Sequence, residues 1–364
     1  MWPLGRSYPA VIDIPFLPWT NGVAFGPEGR FLATSAGSEV RVWPLEGPVP
    51  PAGHLAFEAG RGLIDVAVSP DGKLFAAGSG SSVPQVWIGR DGEDPRMLAG
   101  SEDMLNGTGS VAFSPDGRFV AAGDGGYEMA YGAFHVWEVA ADKIIATLRL
   151  DGEEIRPPST FSSDGRLITG STKGVVAWDV ETGGHEVLVE IRVFEARASS
   201  NGRRLLVTEE RADGLAQHPA GSPTFFDLDT GEVTALSAHG QHVQTMSIDQ
   251  EGKIAVTGDS SGIIRVGPVS GAEPHLLLGH EASVFNLAID PLGRWIASGG
   301  QDGTLRLWPM PDLSKPPLHT LPREELIEKL KTLTNLRVVT DESSPTGWTL
   351  THDPFTGWAE VPTW

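Results

Sequence analysis

The sequence of 364 residues contains no cysteine. That absence excludes a disulfide scaffold, thiolate metal sites and a cysteine nucleophile. Basic residues are scarce: 27 Lys and Arg stand against 47 Asp and Glu, and the formal net charge is −20. A field of that sign repels phosphate backbones and anionic lipids, which argues against nucleic-acid and membrane partners. Neither a signal peptide nor an apolar run of the roughly 18 residues needed to span a bilayer is visible. We therefore expect a cytoplasmic protein.

Turn-forming residues are abundant, with 45 Gly and 28 Pro. One four-residue turn related to Ser-Pro-Asp-Gly recurs seven times along the chain. Its closing glycines are 43, 45, 48, 37, 50 and 41 residues apart, which matches the period of about 40–45 residues typical of a four-stranded blade. The seven copies stand at 26–29, 69–72, 114–117, 162–165, 199–202, 249–252 and 290–293.

Each turn is flanked by short β-prone runs, such as Val111–Phe113 and Phe119–Ala122. Pro suits the second position of a β-turn and Gly accepts a positive φ, so each copy reads as a hairpin. One small sheet cannot bury both of its faces, whereas seven sheets packed around an axis can. We predict an all-β fold, a seven-bladed β-propeller over residues 1–321.

The last copy carries the most specific motif. Gly279-His280 precedes its first strand, Trp295–Gly303 follows the turn, and Leu305–Trp308 ends it. With this motif the chain resembles the WD40-repeat family over about residues 17–321. The resemblance implies a structural tetrad of His280, Ser298, Asp302 and Trp308.

Other copies depart from this pattern. Copies five and six have Phe226 and Gly267 in place of the third-strand Trp, and Lys173 and Ser261 stand where the Asp would be. We expect these incomplete blades to be held together by packing alone.

Insertions distinguish the copies, and the three largest are Gly100–Gly109, Gly123–Gly132 and Glu209–Pro223. In the predicted fold all three lie on the face opposite the Ser-Pro-Asp-Gly turns, over blades three to five. Tyr and Met favour adaptable interfaces, so this face is the candidate binding site for a protein or peptide. The negative net charge favours a basic partner. The alternative is that the insertions are neutral. The candidate residues are Glu102, Asp103, Met104, Asp124, Tyr127, Glu128, Met129, Tyr131, Arg156, Glu209, Glu210, Arg211 and His218.

A second set lies where each first strand begins, at the rim of the central channel. A continuous exposed apolar patch here would call for a covering partner, although single members could instead pack between blades. The mapped rim residues are Asn21, Ile64, Phe194, Gln244 and Phe285. An enzyme acting in the channel mouth, a hydrolase or lyase, is the alternative function. It would need convergent His and carboxylates, which this rim lacks, so we assign no catalytic residue, no cofactor and no metal.

The composition changes after the last blade. Residues 322–364 are predicted to form a tail docked on the propeller, with a helix over 322–333, a strand at 336–339 and a hairpin between 347–350 and 357–361. The outer strand of the last blade is either Leu318–Leu321 or Ala10–Ile14. Propeller and tail together resemble the C-terminal WD-repeat regions of bacterial multidomain signalling proteins. That resemblance implies a non-catalytic scaffold or sensor module with a fused or separate effector domain.

Overall fold

A computed structural model gives the architecture of the chain. The structure describes residues 10–13, 22–46, 53–59, 62–80, 85–101, 104, 107–124, 132–209, 222–237, 239–326, 328, 337–340 and 348–351. The strands of this part of the chain form seven four-stranded antiparallel sheets and one two-stranded sheet. The predicted seven-bladed propeller is therefore confirmed.

Each blade is a meander whose first strand is innermost and whose fourth strand is outermost. Blades 1 to 3 contain β2–β5 (Gly22–Phe25, Phe31–Ala36, Glu39–Pro44, His54–Glu58), β6–β9 (Leu63–Val68, Phe75–Ser79, Val86–Gly89, Arg96–Met97) and β10–β13 (Thr108–Phe113, Phe119–Asp124, Ala133–Glu138, Lys143–Leu148). Blades 4 to 6 contain β14–β17 (Ile155–Phe161, Leu167–Ser171, Val175–Trp178, His185–Val189), β18–β21 (Val193–Ala198, Arg204–Glu209, Thr224–Asp227, Glu232–Ala235) and β22–β25 (Val243–Ile248, Ile254–Asp259, Ile264–Pro268, His275–Leu277). Blade 7 contains β26–β28 (Val284–Ile289, Trp295–Gly300, Thr304–Pro309).

The N-terminal strand β1 (Ala10–Asp13) supplies the fourth strand of blade 7. It pairs antiparallel with β28, from Ala10 opposite Leu307 to Asp13 opposite Thr304. Of the two closures the sequence allowed, the ring therefore uses the N-terminal one. The competing segment forms a 3₁₀ turn at Leu318–Thr320 instead of a strand.

The repeated turns are held by their own side chains. In blade 2 the Ser69 hydroxyl donates to the Asp71 carboxylate at 2.7 Å, and the backbone N–H of Leu74 donates to Ser69 Oγ at 2.9 Å. Gly72 takes a φ of +73°, a conformation that glycine adopts without strain. The Ser69 hydroxyl is also the main reason that the pKa of Asp71 lies below its usual value. These turns define the turn face of the propeller.

The core lies between the blades. Seven clusters of buried apolar side chains each join two neighbouring blades around the ring. Between blades 6 and 7, Trp308 packs with Ile264 and Val266. The cluster between blades 5 and 6 is the smallest, and its buried members are Leu206, Met246 and Ala255. Burying one Leu, Ile or Val contributes about 1.5–3 kcal/mol, so the interface between blades 5 and 6 gains the least apolar stabilisation.

The tail contains a helical turn at 323–326, in which the backbone N–H of Leu326 donates to the Pro322 carbonyl. It also contains a hairpin of β29 (Arg337–Thr340) and β30 (Trp348–Thr351). The sequence analysis did not predict the pairing of β29 with β30, and the predicted pairing of 347–350 with 357–361 stays a prediction because 357–361 lie outside the described residues. Docking of the tail on the propeller stays a prediction.

Candidate functional site

Blade 7 contains a continuous chain of side-chain hydrogen bonds. The His280 Nδ1–H donates to Asp302 Oδ2 at 2.9 Å, and the Ser298 hydroxyl lies 2.7 Å from His280 Nε2. The Trp308 indole N–H donates to Ser298 Oγ at 2.8 Å. These are the four residues that the family resemblance implied. A fully satisfied buried network of this kind rigidifies the sheet that contains it.

The electrostatics of this network fit a structural role. Burial lowers the pKa of His280, so the ring is neutral at pH 7 and can donate from Nδ1 while accepting at Nε2. Burial acts to raise the pKa of Asp302, but hydrogen bonds from Thr304, the Glu281 backbone and His280 outweigh it and lower that pKa to about 2. Both ring nitrogens of His280 are thus occupied within the blade.

Blade 6 contains a second network that the sequence analysis missed. His239 Nδ1–H donates to Asp259 Oδ2 at 2.9 Å, and the Thr257 hydroxyl bonds His239 Nε2. The His and the second-strand hydroxyl are 18 residues apart here, as they are for His280 and Ser298 in blade 7. The expectation that blade 6 relies on packing alone is therefore wrong. Its carboxylate comes from the end of β23, two positions before Ser261.

Blades 1 and 4 retain the tryptophan half of the network. Trp43 Nε1–H donates to Thr34 Oγ1 at 3.0 Å, and Trp178 Nε1–H donates to Thr169 Oγ1 at 2.9 Å. These hydrogen bonds show that packing alone does not hold blades 4 and 6, whereas for blade 5, with Phe226, the expectation of packing alone stays a prediction. The equal spacing of Trp and Thr, nine residues in each pair, was the signal available in the sequence.

The inner strands carry polar side chains that join one blade to the next. Asp65 Oδ2 accepts the backbone N–H of Val111 at 2.9 Å, and its Oδ1 accepts that of Val66. Ser110 Oγ accepts the N–H of Ser159 at 3.0 Å in the same way between blades 3 and 4. An inner strand is a sheet edge whose N–H groups would otherwise lack partners. These side chains therefore satisfy the exposed edge of the following blade.

Glu195 repeats this arrangement between blades 5 and 6, where it accepts the backbone N–H of Met246. It is 6% exposed, and the Arg197 guanidinium lies 3.1 Å from its Oε1. The Arg197 Nε–H also donates to the Met246 carbonyl at 2.8 Å. The sequence analysis missed Asp65 and Glu195 because it placed the rim one residue earlier, at Ile64 and Phe194.

The carboxyl group of Asp65 is enclosed between blades. Its burial raises its pKa to about 6, although hydrogen bonds from the Val111 and Val66 backbones and the charge of Arg197 act in the opposite direction. Arg197 lies on blade 5 and Asp65 on blade 2, so this interaction acts across the central channel. Ionisable side chains thus lie directly after the rim residues Ile64 and Phe194, where the sequence analysis predicted no carboxylate.

We expect Asp65→Asn to remove one component of the pH dependence of folding. The pKa of Asp65 is about 6 in the folded chain and 3.8 at its ordinary value, so the folded state binds more protons between these values. Stability from this group consequently falls as the pH rises from 4 to 6, by about 2 kcal/mol. Urea unfolding of both proteins at pH 4 to 7 measures the difference. Parallel curves for the two proteins would show that Asp65 is not protonated in this range.

The face opposite the turns carries the longest connections, and we call it the insertion face. Eight residues join Asp124, the end of β11, to Ala133, and fourteen join Glu209, the end of β19, to Thr224. The corresponding connection in blade 1 is two residues long. The candidate residues outside the described part of the chain are Glu102, Asp103, Tyr127, Glu128, Met129, Tyr131, Glu210, Arg211 and His218.

The described candidates differ in their environments. Glu209 is exposed at the end of β19, and Arg156 forms an ion pair with Glu154 at 2.9 Å. Asp124 ends β11, with its backbone opposite Ala133. Met104 is only 5% exposed and packs in the core between blades 2 and 3. We therefore remove Met104 from the candidate site: its unbranched apolar side chain is used in packing and is not available to a partner.

Four of the five rim residues are described, and each is half-buried. They are Ile64, Phe194, Gln244 and Phe285, while Asn21 lies outside the described residues. Ile64 lies against Gly80 of its own blade, where a Cβ would lie 2.8 Å from it, so this contact is not one between blades. Within the described residues, no group of three or more His, Asp or Glu side chains is placed to hold a metal ion. No helix among them is long and apolar enough to cross a membrane.

Comparisons with known proteins agree with this architecture. The family model "WD domain, G-beta repeat" matches residues 271–309, which contain β25 of blade 6 and β26–β28 of blade 7. Among curated relatives, "Ribosome biogenesis protein erb1" of Botryotinia fuckeliana is 58% identical over 33 residues, 9% of this chain and 4% of that protein. "NET1-associated nuclear protein 1" of Saccharomyces cerevisiae is 25% identical over 150 residues, 41% of this chain and 14% of that protein.

This chain thus aligns with only a small part of the length of these relatives. Both are eukaryotic proteins, so they do not support the predicted similarity to bacterial signalling proteins. Among solved structures, a chain of "Crystal Structure of Mitotic Checkpoint Complex" superposes with a TM-score of 0.64 at 19% identity, covering 86% of this chain and 98% of that one. The seven sheets and the structural likeness together show that the chain is a seven-bladed β-propeller, and residues 271–309 within it match a WD40 repeat.

Proposed function

We propose that this propeller is a non-catalytic interaction scaffold or sensor module that binds a protein or peptide on its insertion face, over blades 3 to 5. The observation that carries the proposal is the position of the long connections, which follow β11 and β19 on one face of a rigid ring. Loops held by a rigid framework are where binding residues concentrate. WD40 propellers generally act as protein-interaction scaffolds, so the fold and the loops support the same role.

Charge supports a basic partner. The net charge of −20 attracts cationic surfaces at long range and raises association rates. Asp151, Glu153 and Glu209 are exposed on the insertion face. Arg149 and Lys173 are also exposed there, so the insertion face carries charges of both signs. We propose that individual ion pairs with the partner, more than a uniform negative surface, determine which partner binds.

The cellular setting is a separate proposal. The resemblance of propeller and tail favours a cytoplasmic bacterial signalling system with a fused or separate effector domain. The named relatives, a ribosome biogenesis protein and a nuclear protein, are eukaryotic and favour a different setting. A scaffold function on the insertion face is compatible with both of these cellular settings.

Two variants of equal charge test the proposed face. Asp151→Lys with Glu209→Lys reverses two exposed charges on the insertion face, whereas Glu93→Lys with Asp94→Lys reverses two on the turn face. Each pair makes the net charge less negative by four. We expect the first pair to weaken capture of partners from the native host about tenfold and the second to leave it near the wild-type level, as measured by quantitative mass spectrometry.

Folding is checked by thermal melting, because both pairs lie on the surface and should keep the wild-type Tm. Equal capture by the two pairs would place recognition elsewhere on the propeller. Replacing Tyr127 and Tyr131 by Ala provides an independent test without any change of charge, and we expect the same loss of capture at an unchanged Tm.

A propeller enzyme that uses the channel is the second candidate, and Asp65 is the observation in its favour. A carboxyl group with a pKa of about 6 can act as a general acid or base near neutral pH. Both oxygens of Asp65, however, accept backbone N–H groups that hold blades 2 and 3 together. Hydrolysis or elimination found in a broad substrate screen, and lost in Asp65→Asn, would favour the enzyme.

A further inference from the structure

A cleft lies between blades 5 and 6, where the apolar core is smallest. Leu236 and Ser237 line it from blade 5, and Thr257, Arg265, Gly267 and Pro274 line it from blade 6. Its cavity of about 20 Å³ exceeds the volume that one water molecule needs. The cleft thus combines a cationic side chain and a hydroxyl with apolar walls.

The cleft arises from a single replacement. Gly267 lies opposite Ala255, in the register where Trp308 of blade 7 lies opposite Ile296. In blade 7 the indole fills the corresponding space and donates to Ser298. Pro274 takes up part of the vacated space in blade 6, since a Cβ on Gly267 would lie 3.1 Å from it. The rest of the space remains as the cleft.

Arg265 of blade 6 occupies the register of Arg306 in blade 7. Arg265 lies opposite Thr257, as Arg306 lies opposite Ser298. The guanidinium of Arg306 is 3.6 Å from the Asp302 carboxylate, and its Nε–H donates to Thr304 Oγ1 at 3.1 Å. Blade 7 therefore neutralises its own arginine.

The two partners of Arg306 have no counterpart around Arg265. The equivalent positions are Ser261 and Ile263, and Arg265 makes no ion pair with a carboxylate of the described residues. Its Nε is buried without a hydrogen-bond partner there. A buried donor without an acceptor destabilises the fold, and more so when it is charged, so a ligand that accepts a hydrogen bond from it stabilises this site.

The carboxylate of blade 6 cannot serve Arg265. Asp259 is fully buried and accepts from His239, from the Ser261 hydroxyl at 2.8 Å and from the backbone N–H of Ile263 at 3.0 Å. The charge of Arg265 also lowers the pKa of His239, in addition to the larger effect of burial. Arg265 thus lies beside a neutral ring with its positive charge uncompensated.

We infer that the cleft between blades 5 and 6 is a binding site for a carboxylate group, which pairs with the Arg265 guanidinium. A carboxylate matches the planar fork of donors on a guanidinium. The apolar walls at Leu236 and Pro274 suit a short aliphatic stem behind it. This ligand differs in charge from the basic partner proposed for the insertion face, and the two proposals stand independently.

Two probes are used in 150 mM NaCl. Acetate represents a free small acid, and the N-methylamide of N-acetylglutamate represents an acidic side chain in a peptide. The matching glutamine derivative is the neutral control. We expect the glutamate derivative to shift the Arg265 Nε–H NMR resonance saturably, with millimolar affinity, and the glutamine derivative to leave it unchanged. Because a bound carboxylate offsets the charge of Arg265, the pKa of His239 should rise at saturation.

Tighter binding of acetate would assign the site to free acids, and tighter binding of the glutamate derivative would assign it to acidic side chains.

Arg265→Met removes the cation, and Arg306→Met is its matched control in blade 7. Binding, followed in the variants by the His239 ring resonances, should weaken at least tenfold in Arg265→Met and remain in Arg306→Met. The double change Asp259→Gly with Ser261→Asp transfers the blade 7 carboxylate to blade 6 and should also abolish binding. Non-saturable shifts, or equal binding in Arg265→Met and the wild type, would overturn the inference. If the double variant does not fold, the two arginine variants decide the question.

Discussion

Asp302→Ala is expected to lower the free energy of unfolding by about 4 kcal/mol, the typical effect of removing one partner from a buried charged network. The carboxylate accepts from His280, from the Glu281 backbone and from Thr304, and its loss leaves these three donors without their acceptor. Equilibrium unfolding in urea at pH 7 measures the change. Asp312→Ala is the control.

Asp312 has a low pKa like Asp302 but is exposed, whereas Asp302 lies in the buried network. The pKa of each lies at about 2, but the Asp312 side chain is 51% exposed and its partners Ser314 and Lys315 lie on the surface. We expect Asp312→Ala to leave the unfolding curve unchanged. Equal losses in the two variants would mean that a low pKa, and not the buried network, sets the effect.

The pH dependence of the Asp302 variant supplies a second readout. The pKa of Asp302 is about 2 in the folded chain and 3.8 at its ordinary value. Its contribution is therefore complete above about pH 4 and is lost as the pH falls towards 2. The stability difference between wild type and Asp302→Ala should shrink over the same interval.

Ile12→Ser is expected to lower the free energy of unfolding by about 3 kcal/mol, because it replaces a buried isoleucine with a polar side chain at the point of ring closure. Ile12 is 5% exposed and packs with Leu32 of blade 1 and Leu305 of blade 7. It therefore joins the first and last blades at the position where the chain closes on itself. The free energy of unfolding in urea is the measurement.

Val11 is the matched control for ring closure. It precedes Ile12 on β1, pairs with Arg306 of β28, and is 41% exposed. We expect Val11→Ser to change the free energy of unfolding by less than about 1 kcal/mol. A similar loss in both variants would show that β1 contributes through its backbone pairing more than through the packing of Ile12.

The repeat could be predicted because local physics determines its turns, and the tetrad was implied by the resemblance of the last copy to the WD40-repeat family. A Ser-Pro-Asp-Gly turn forms from its own side chains, as Ser69 and Asp71 illustrate, and seven such turns imply seven sheets. His280, Ser298, Asp302 and Trp308 follow the spacing of one motif. Features of this kind need no knowledge of neighbouring blades.

Features that depend on neighbouring elements could not be predicted in the same way. Asp65 bonds Val111 in the next blade, and nothing in the local pattern of β6 identifies that partner. Asp259 accepts from His239 as Asp302 accepts from His280. It lies two residues before Ser261, which corresponds to Asp302, so the spacing of the blade 7 motif did not identify it. Met104 lies in an insertion but is buried by packing from both sides. The pairing of β29 with β30 was not predicted, since a local pattern indicates a strand but not its partner.

Hydrogen exchange of the chain with and without a captured partner tests the central proposal most directly. Binding on the insertion face predicts slower exchange in peptides that contain Gly123–Gly132 and Glu209–Pro223. The turn face, at 69–72, 114–117 and 162–165, should exchange at its unliganded rate. Protection of the turn face or of the outer strands, with the two insertions unchanged, would contradict the account.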